Sequence, residues 1–185
     1  MVALSPPLGP FGSIAPDFQL HDVISGKTLA LADVRGEKGT VVMFICNHCP
    51  YVKAIVERLV RDCRDLEAVG VKAVAIMSND MEAYPDDGLP QMKDFADTHD
   101  FPFPYLVDED QSVARAYGAI CTPDFFGYDA DLKLCYRGRL DESKRATASP
   151  NADRELFNAM SLVAETQQVP PEQTPSIGCS IKWKQ

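Results

Sequence analysis

The chain has 185 residues and a formal net charge of −9 at pH 7, with 45% hydrophobic and 24% charged residues. That is the composition of a globular protein with one well-buried core. The acidic balance, with no basic stripe to offset it, argues against nucleic acid or an anionic membrane as a partner.

Asp17–Leu20 and Thr28–Leu31, separated by Ile24-Ser25-Gly26, predict a short N-terminal β-hairpin. Thr40–Ile45 is apolar after its first residue, as a strand buried on both faces should be. Pro50–Ala68 predicts a helix, with Val52, Ile55, Val56, Leu59, Cys63 and Leu66 on one stripe. Lys53, Glu57, Arg61 and Asp65 fall on the opposite stripe, and Gly70 is a natural stop. Val71–Met77 reads as a strand, the acidic stretch Ser78–Leu89 as a loop, and Pro90–His99 as a helix. A strand at Tyr105–Val107 and a small helix at Ser112–Tyr117 follow, with Asp110 near the helix cap. Phe125–Tyr128 and Lys133–Arg137 form a second predicted hairpin, and Ala152–Glu165 a last amphipathic helix. This order describes an α/β domain over residues 1–165, a central mixed β-sheet flanked by helices, and a proline-rich C-terminal tail over 166–185. Met1–Pro16 has neither a basic n-region nor a continuous apolar h-region, and no run reaches the ~20 apolar residues of a membrane span. A cytoplasmic location is expected.

Six cysteines are too few for a disulfide scaffold, so in a reducing compartment they should be catalytic, metal-binding or simply buried. Two of them sit where chemistry is expected. Cys46-Asn47-His48-Cys49-Pro50 ends a predicted strand and opens a predicted helix, whose N-terminal N–H groups favour a thiolate over a thiol. With Ala15-Pro16-Asp17-Phe18 upstream and Cys121-Thr122-Pro123 before a later strand, the chain resembles the thioredoxin superfamily in its AhpC/TSA (redoxin) branch, shared by peroxiredoxins and TlpA/ResA-type proteins. Cys46-Asn-His-Cys-Pro-Tyr51, Ser78-Asn-Asp80, Cys121-Thr-Pro-Asp124 and Gly178-Cys-Ser-Ile-Lys-Trp183 are similar to peroxiredoxin-like members that carry CxxC.

The resemblance implies a thioredoxin-like fold and thiol–disulfide exchange, with no cofactor. Cys46 is then the nucleophile and the more exposed sulfur, and Cys49, one turn on, resolves the mixed disulfide. His48 stands where DsbA and protein disulfide isomerase carry a histidine, and with Asn47 it should tune the thiolate. Thr122-Pro123 resembles the cis-proline segment, whose backbone can pair with an extended substrate strand. Thioredoxin carries a buried carboxylate on the strand before its CxxC; Gly39–Ile45 has none, so Asp80, beside Asn79 at the same sheet edge, could take that role through a water or be only a loop cap. Cys121 is either a third redox thiol or a small buried side chain. Cys179 either resolves an oxidised Cys46 or Cys49, or lies in a strap anchored by Ile181 and Trp183. Cys63 and Cys135 read as packing. The expected partners are protein or small-molecule disulfides and an unidentified redox partner.

Two other functions compete. A thiol peroxidase would use a sulfenic acid, but aligning Cys49 with the peroxidatic cysteine places Val42 and Cys46 where the peroxiredoxin motif has Pro and Thr/Ser. A Sco-like copper carrier would use Cys46, His48, Cys49 and Cys121 as soft ligands, with His99 a poor distant partner. A zinc site lacks the second CxxC or His pair it needs.

Overall fold

The computed structural model describes residues 3–143, 149 and 152–185. A seven-stranded sheet runs through it in the order β3-β2-β6-β5-β4-β8-β9. Its strands are β2 (Gln19–Asp22), β3 (Thr28–Ala30), β4 (Gly39–Phe44), β5 (Val71–Met77), β6 (Tyr105–Val107), β8 (Asp124–Asp129) and β9 (Leu134–Gly138). β4, β5 and β6 are parallel neighbours; the other pairings are antiparallel, so the sheet is mixed as expected. The N-terminal hairpin is an integral edge of this sheet, because β2 pairs with β6.

Alternation along the central strands builds two cores. Val41, Met43 and Ile45 face one, with Ala75 and Met77 of β5; Val42 and Phe44 face the other, with Val74 and Ile76. Such double burial is why β4 reads as a continuous apolar run. On the first face lie α2 (Pro50–Glu67), α3 (Leu89–Thr98) and α5 (Glu155–Thr166), contributing Leu59, Met92 and Met160 among others. The second is covered by α1 (Leu31–Val34) and α4 (Ser112–Tyr117), with Ile181 and Trp183 of the tail against it. In α2 the predicted polar stripe is exposed and the apolar one buried, and Gly70 follows at φ +88°, a conformation open to glycine at little cost. Asp62, which interrupts the buried stripe, is held by Arg61 and Arg154.

The tail is not an appendage. A second, three-stranded sheet has the order β1-β10-β7, where β1 is Ala3–Leu4, β7 is Cys121–Thr122 and β10 is Gly178–Ser180. The tail therefore lies as a strand between the N-terminus and the segment before Pro123. Ser176 Oγ donates to Asp124, Asn79 Oδ1 accepts from the Lys182 N–H, and the Arg115 guanidinium lies 4.4 Å from the Trp183 ring centroid. Ile181 is buried as the strap reading required.

Leu59→Ala, at a fully buried position of the first core, is expected to cost about 2–5 kcal/mol. A lowered urea midpoint with an unchanged slope would register it.

Candidate active site

Cys46 and Cys49 occupy the joint between β4 and α2. Cys49 is the N-cap of α2 and Pro50 its first residue, where the missing N–H costs no helical hydrogen bond. Both residues are buried, Cys46 at 1% exposure and Cys49 at 0%. The expected order of the two sulfurs is kept only marginally, and neither is open to solvent; the tail's Cys179 lies against Cys49.

The Thr122–Pro123 peptide is cis, as the resemblance implied. Thr122 touches both sulfurs: its Oγ1 lies 3.4 Å from Cys46 Sγ and its carbonyl oxygen 3.1 Å from Cys49 Sγ. The expectation that the Thr122 and Pro123 backbone offers a free edge to substrate is not met, because Thr122 is already paired with Cys179 of β10. Gly178 makes that pairing close: a Cβ there would stand 2.1 Å from the Thr122 carbonyl oxygen and 2.9 Å from the Pro123 nitrogen. Cys179 Sγ lies 3.0 Å from Cys49 Sγ.

The carboxylate of the site is Asp87, not Asp80. Asp80 accepts from the N–H groups of Glu82 and Ala83 and so caps its own loop. Asp87, fully buried at the end of a 3-10 turn (Pro85–Asp87), accepts from the Asn47 N–H at 3.0 Å, from Asn79 Nδ2 at 2.8 Å and from His48 Nδ1 at 2.6 Å. Asn47 is a bracket rather than a neighbour of the sulfurs: its Nδ2 donates to the Asp86 carbonyl and its Oδ1 accepts from Tyr105 Oη. Asn79 ties Asp87 on one side and the Lys182 N–H on the other. His48 Nδ1 is 4.0 Å from Cys46 Sγ, and its ring stacks on Tyr84.

These contacts set the charges. The hydrogen bond to Asp87 raises the His48 pKa against the opposing effect of burial. Burial pushes Asp87 up, but His48, Asn79 and the Asn47 N–H outweigh it and hold the carboxyl below its ordinary value. The two active-site sulfurs are shifted in opposite directions. The hydrogen bond to Cys49, burial and the Asp87 charge all raise Cys46. Cys49 is lowered to about 5, first by the Cys46 thiol, against burial, and then by the Cys179 thiol and the N–H groups of Val52 and Cys179. One contact opposes this: the Thr122 carbonyl can only accept, and so favours a protonated Cys49. Several donors against one acceptor leave the resting thiolate on Cys49.

Cys121 is not brought into this cluster as a thiolate. Its Sγ points to the Pro123 carbonyl at 3.7 Å, and burial beside Asp124 drives its pKa well up. Cys63 packs in the first core and Cys135 donates to the Lys133 carbonyl. Cys46, His48 and Asp87 offer donor atoms within 4.8 Å of one another, but His48 Nδ1 and Asp87 already satisfy each other. Among the described residues that group includes neither Cys49 nor Cys121, so the two-sulfur, imidazole set of a copper carrier is not drawn together there, and His99 is paired with Glu57. Arg137, the arginine of the neighbouring hairpin, is committed to Asp124 and the Gly118 carbonyl.

The AhpC/TSA family model matches residues 11–138. A conserved protein of Geobacillus kaustophilus, described as uncharacterized, superposes with a TM-score of 0.94 at 48% identity, covering 100% of this chain and 97% of that one. The thiol-disulfide oxidoreductase ResA of Bacillus thuringiensis is 25% identical over 140 residues, 72% of each chain. A putative thioredoxin of Neisseria meningitidis superposes with a TM-score of 0.63 at 18% identity, over 84% of this chain and 93% of that one. The fold is thioredoxin-like.

The thiolate absorbance of the reduced protein should be lost as pH falls through about 5, where Cys49 takes up its proton. Replacing Cys49 by serine should abolish that step. Asp87→Asn should lower the His48 pKa, read from the ring protons by NMR, because the hydrogen-bonded charge that raises it is gone.

Proposed function

The chain belongs to the AhpC/TSA family, and we propose that within it the protein is a thiol–disulfide oxidoreductase working through Cys46 and Cys49. One observation carries the reading: a cysteine pair at a helix N-terminus, packed against a cis-proline segment whose Thr122 touches both sulfurs. The likeness to ResA supports it.

In this reading a substrate disulfide reaches Cys46, the sulfur beside His48. The Cys46 proton passes to Cys49, and the Cys46 thiolate attacks one substrate sulfur, expelling the other as a thiolate. The His48 imidazole, 4.0 Å away and drawn toward its protonated form by Asp87, offsets the charge developing on Cys46. Cys49 then gives up its proton, attacks Cys46 Sγ and releases the second substrate thiolate, leaving a Cys46–Cys49 disulfide. Electrons move from the dithiol to the substrate, and the reverse sequence oxidises a substrate dithiol. Protein and small-molecule disulfides are the substrate class, and a separate redox partner resets the pair.

The peroxidase alternative lacks support at the site. Cys46 replaces the hydroxyl residue of that motif, and the guanidinium of Arg137 is engaged elsewhere.

Cys46→Ser is expected to lower insulin-disulfide reduction by about 100-fold or more, and Cys49→Ser to accumulate a mixed disulfide with substrate. Near wild-type reduction by Cys46→Ser would show that the attacking sulfur lies elsewhere.

A further inference from the structure

We infer that Cys179 is a third redox thiol of this site, taking Cys49 into a Cys49–Cys179 disulfide and freeing Cys46. The inference rests on the dithiol reading of Cys46 and Cys49 and adds a step to it.

Three independent features put Cys179 there. Its Sγ is 3.0 Å from Cys49 Sγ, so about 1 Å of closure separates the pair from a disulfide bond length of ~2.05 Å. The approach is fixed by backbone: β10 is held between β1 and β7, with Cys179 opposite both Ala3 and Thr122. Gly178 supplies the third feature, since a side chain at that position would collide with the Thr122 carbonyl and hold β10 away. A strap needing only apolar anchorage would have it from Ile181 and Trp183 alone. The cysteine, at 2% exposure, instead touches the central sulfur of the site.

The step is an internal exchange that needs no further oxidant. Once substrate has left a Cys46–Cys49 disulfide, the Cys179 sulfur attacks Cys49 Sγ. The Cys46–Cys49 bond breaks, a Cys49–Cys179 bond forms, and Cys46 leaves as a thiolate that takes the proton Cys179 loses. One disulfide replaces another and the oxidation level is unchanged. Cys46 becomes a free thiol again beside His48. The new bond also fastens β10 over the Thr122 edge, so an external strand can pair there only after Cys179 is reduced.

The test is disulfide mapping of the full chain equilibrated in glutathione buffers of graded potential, quenched in acid, alkylated in denaturant and cut with trypsin. Cys46 and Cys49 share one tryptic peptide, Gly39–Lys53, whereas Cys179 lies in Glu155–Lys182. The expected result is a linked peptide pair in roughly a tenth of the oxidised chains or more. The link should persist in Cys46→Ser and vanish in Cys49→Ser and Cys179→Ser. If the disulfide stays within Gly39–Lys53 at every potential while Cys179 is fully alkylated, the inference falls and the Cys46–Cys49 reading stands. A link that survives Cys49→Ser also overturns it, since Cys46 would then be the partner. If neither peptide carries a disulfide at any potential, both readings fall together.

Discussion

The antiparallel pairing of Cys179 with Thr122 is the contact on which the arrangement of the site depends. A cis-proline segment presents backbone hydrogen-bonding groups beside the cysteine pair, and an open edge of that kind pairs readily with any extended chain. Here the protein's own tail fills the position. The consequences run outward from that pairing: Cys179 is brought against Cys49, the N-terminal strand gains a partner in β10, and Ile181 and Trp183 are led onto the second core.

Burial on this scale sharpens the electrostatics. An isolated anion at a site this dry would be neutralised by a shifted pKa. Asp87 avoids that through donors on three sides, the Asn47 N–H, Asn79 Nδ2 and His48 Nδ1. A negative charge on the pair is favoured where the donors converge. That is Cys49, at the end of α2, with a thiol on either side and two backbone N–H groups acting on it. Cys46 is kept protonated by the same cluster, because it faces the Asp87 charge and donates to Cys49. In the proposed exchange, attack by Cys46 would require a proton to move between two sulfurs, a short internal transfer rather than one from bulk water.

How much of this was legible in the sequence depended on the range of the forces involved. Val71–Met77, Tyr105–Val107 and Ser112–Tyr117 were predicted with the bounds the structure gives, because periodicity and punctuation are local. The joint between β4 and α2 was equally plain. Asp87 was not, since nothing distinguishes it from Asp86 or Asp80 within an acidic loop; its role comes from a 3-10 turn that swings it under the Asn47 N–H, forty residues away in the chain. Pro85 at the start of that turn was the one available signal. That the cysteine pair is closed to solvent was hidden for a related reason. A residue's burial depends on what covers it, and Cys49 is met by a strand of three residues whose composition gives no strand signal. Gly178-Cys179 could have suggested a close backbone approach, but only to a reader who already knew that Thr122 lay opposite.

Register decides whether such a cover is chemically meaningful. In a strand a slip of one residue turns every side chain to the other face, which would carry Cys179 away from Cys49 and bring a Cβ-bearing residue against the Thr122 carbonyl. Apolar anchorage by Ile181 and Trp183 already opposes such a slip. The polar anchors on both sides of β10 add to it: Ser176 donates to Asp124 before it, and Asn79 accepts from Lys182 after it, while Gln111 donates to the Lys182 carbonyl and accepts from the Lys184 N–H. Asp124 is itself fixed by its buried ion pair with Arg137. Moving the tail by one position would strand several of these buried groups, and each unsatisfied group costs on the order of 1–3 kcal/mol. The polar contacts thus specify the one alignment in which the tail's sulfur meets the sulfur that carries the charge.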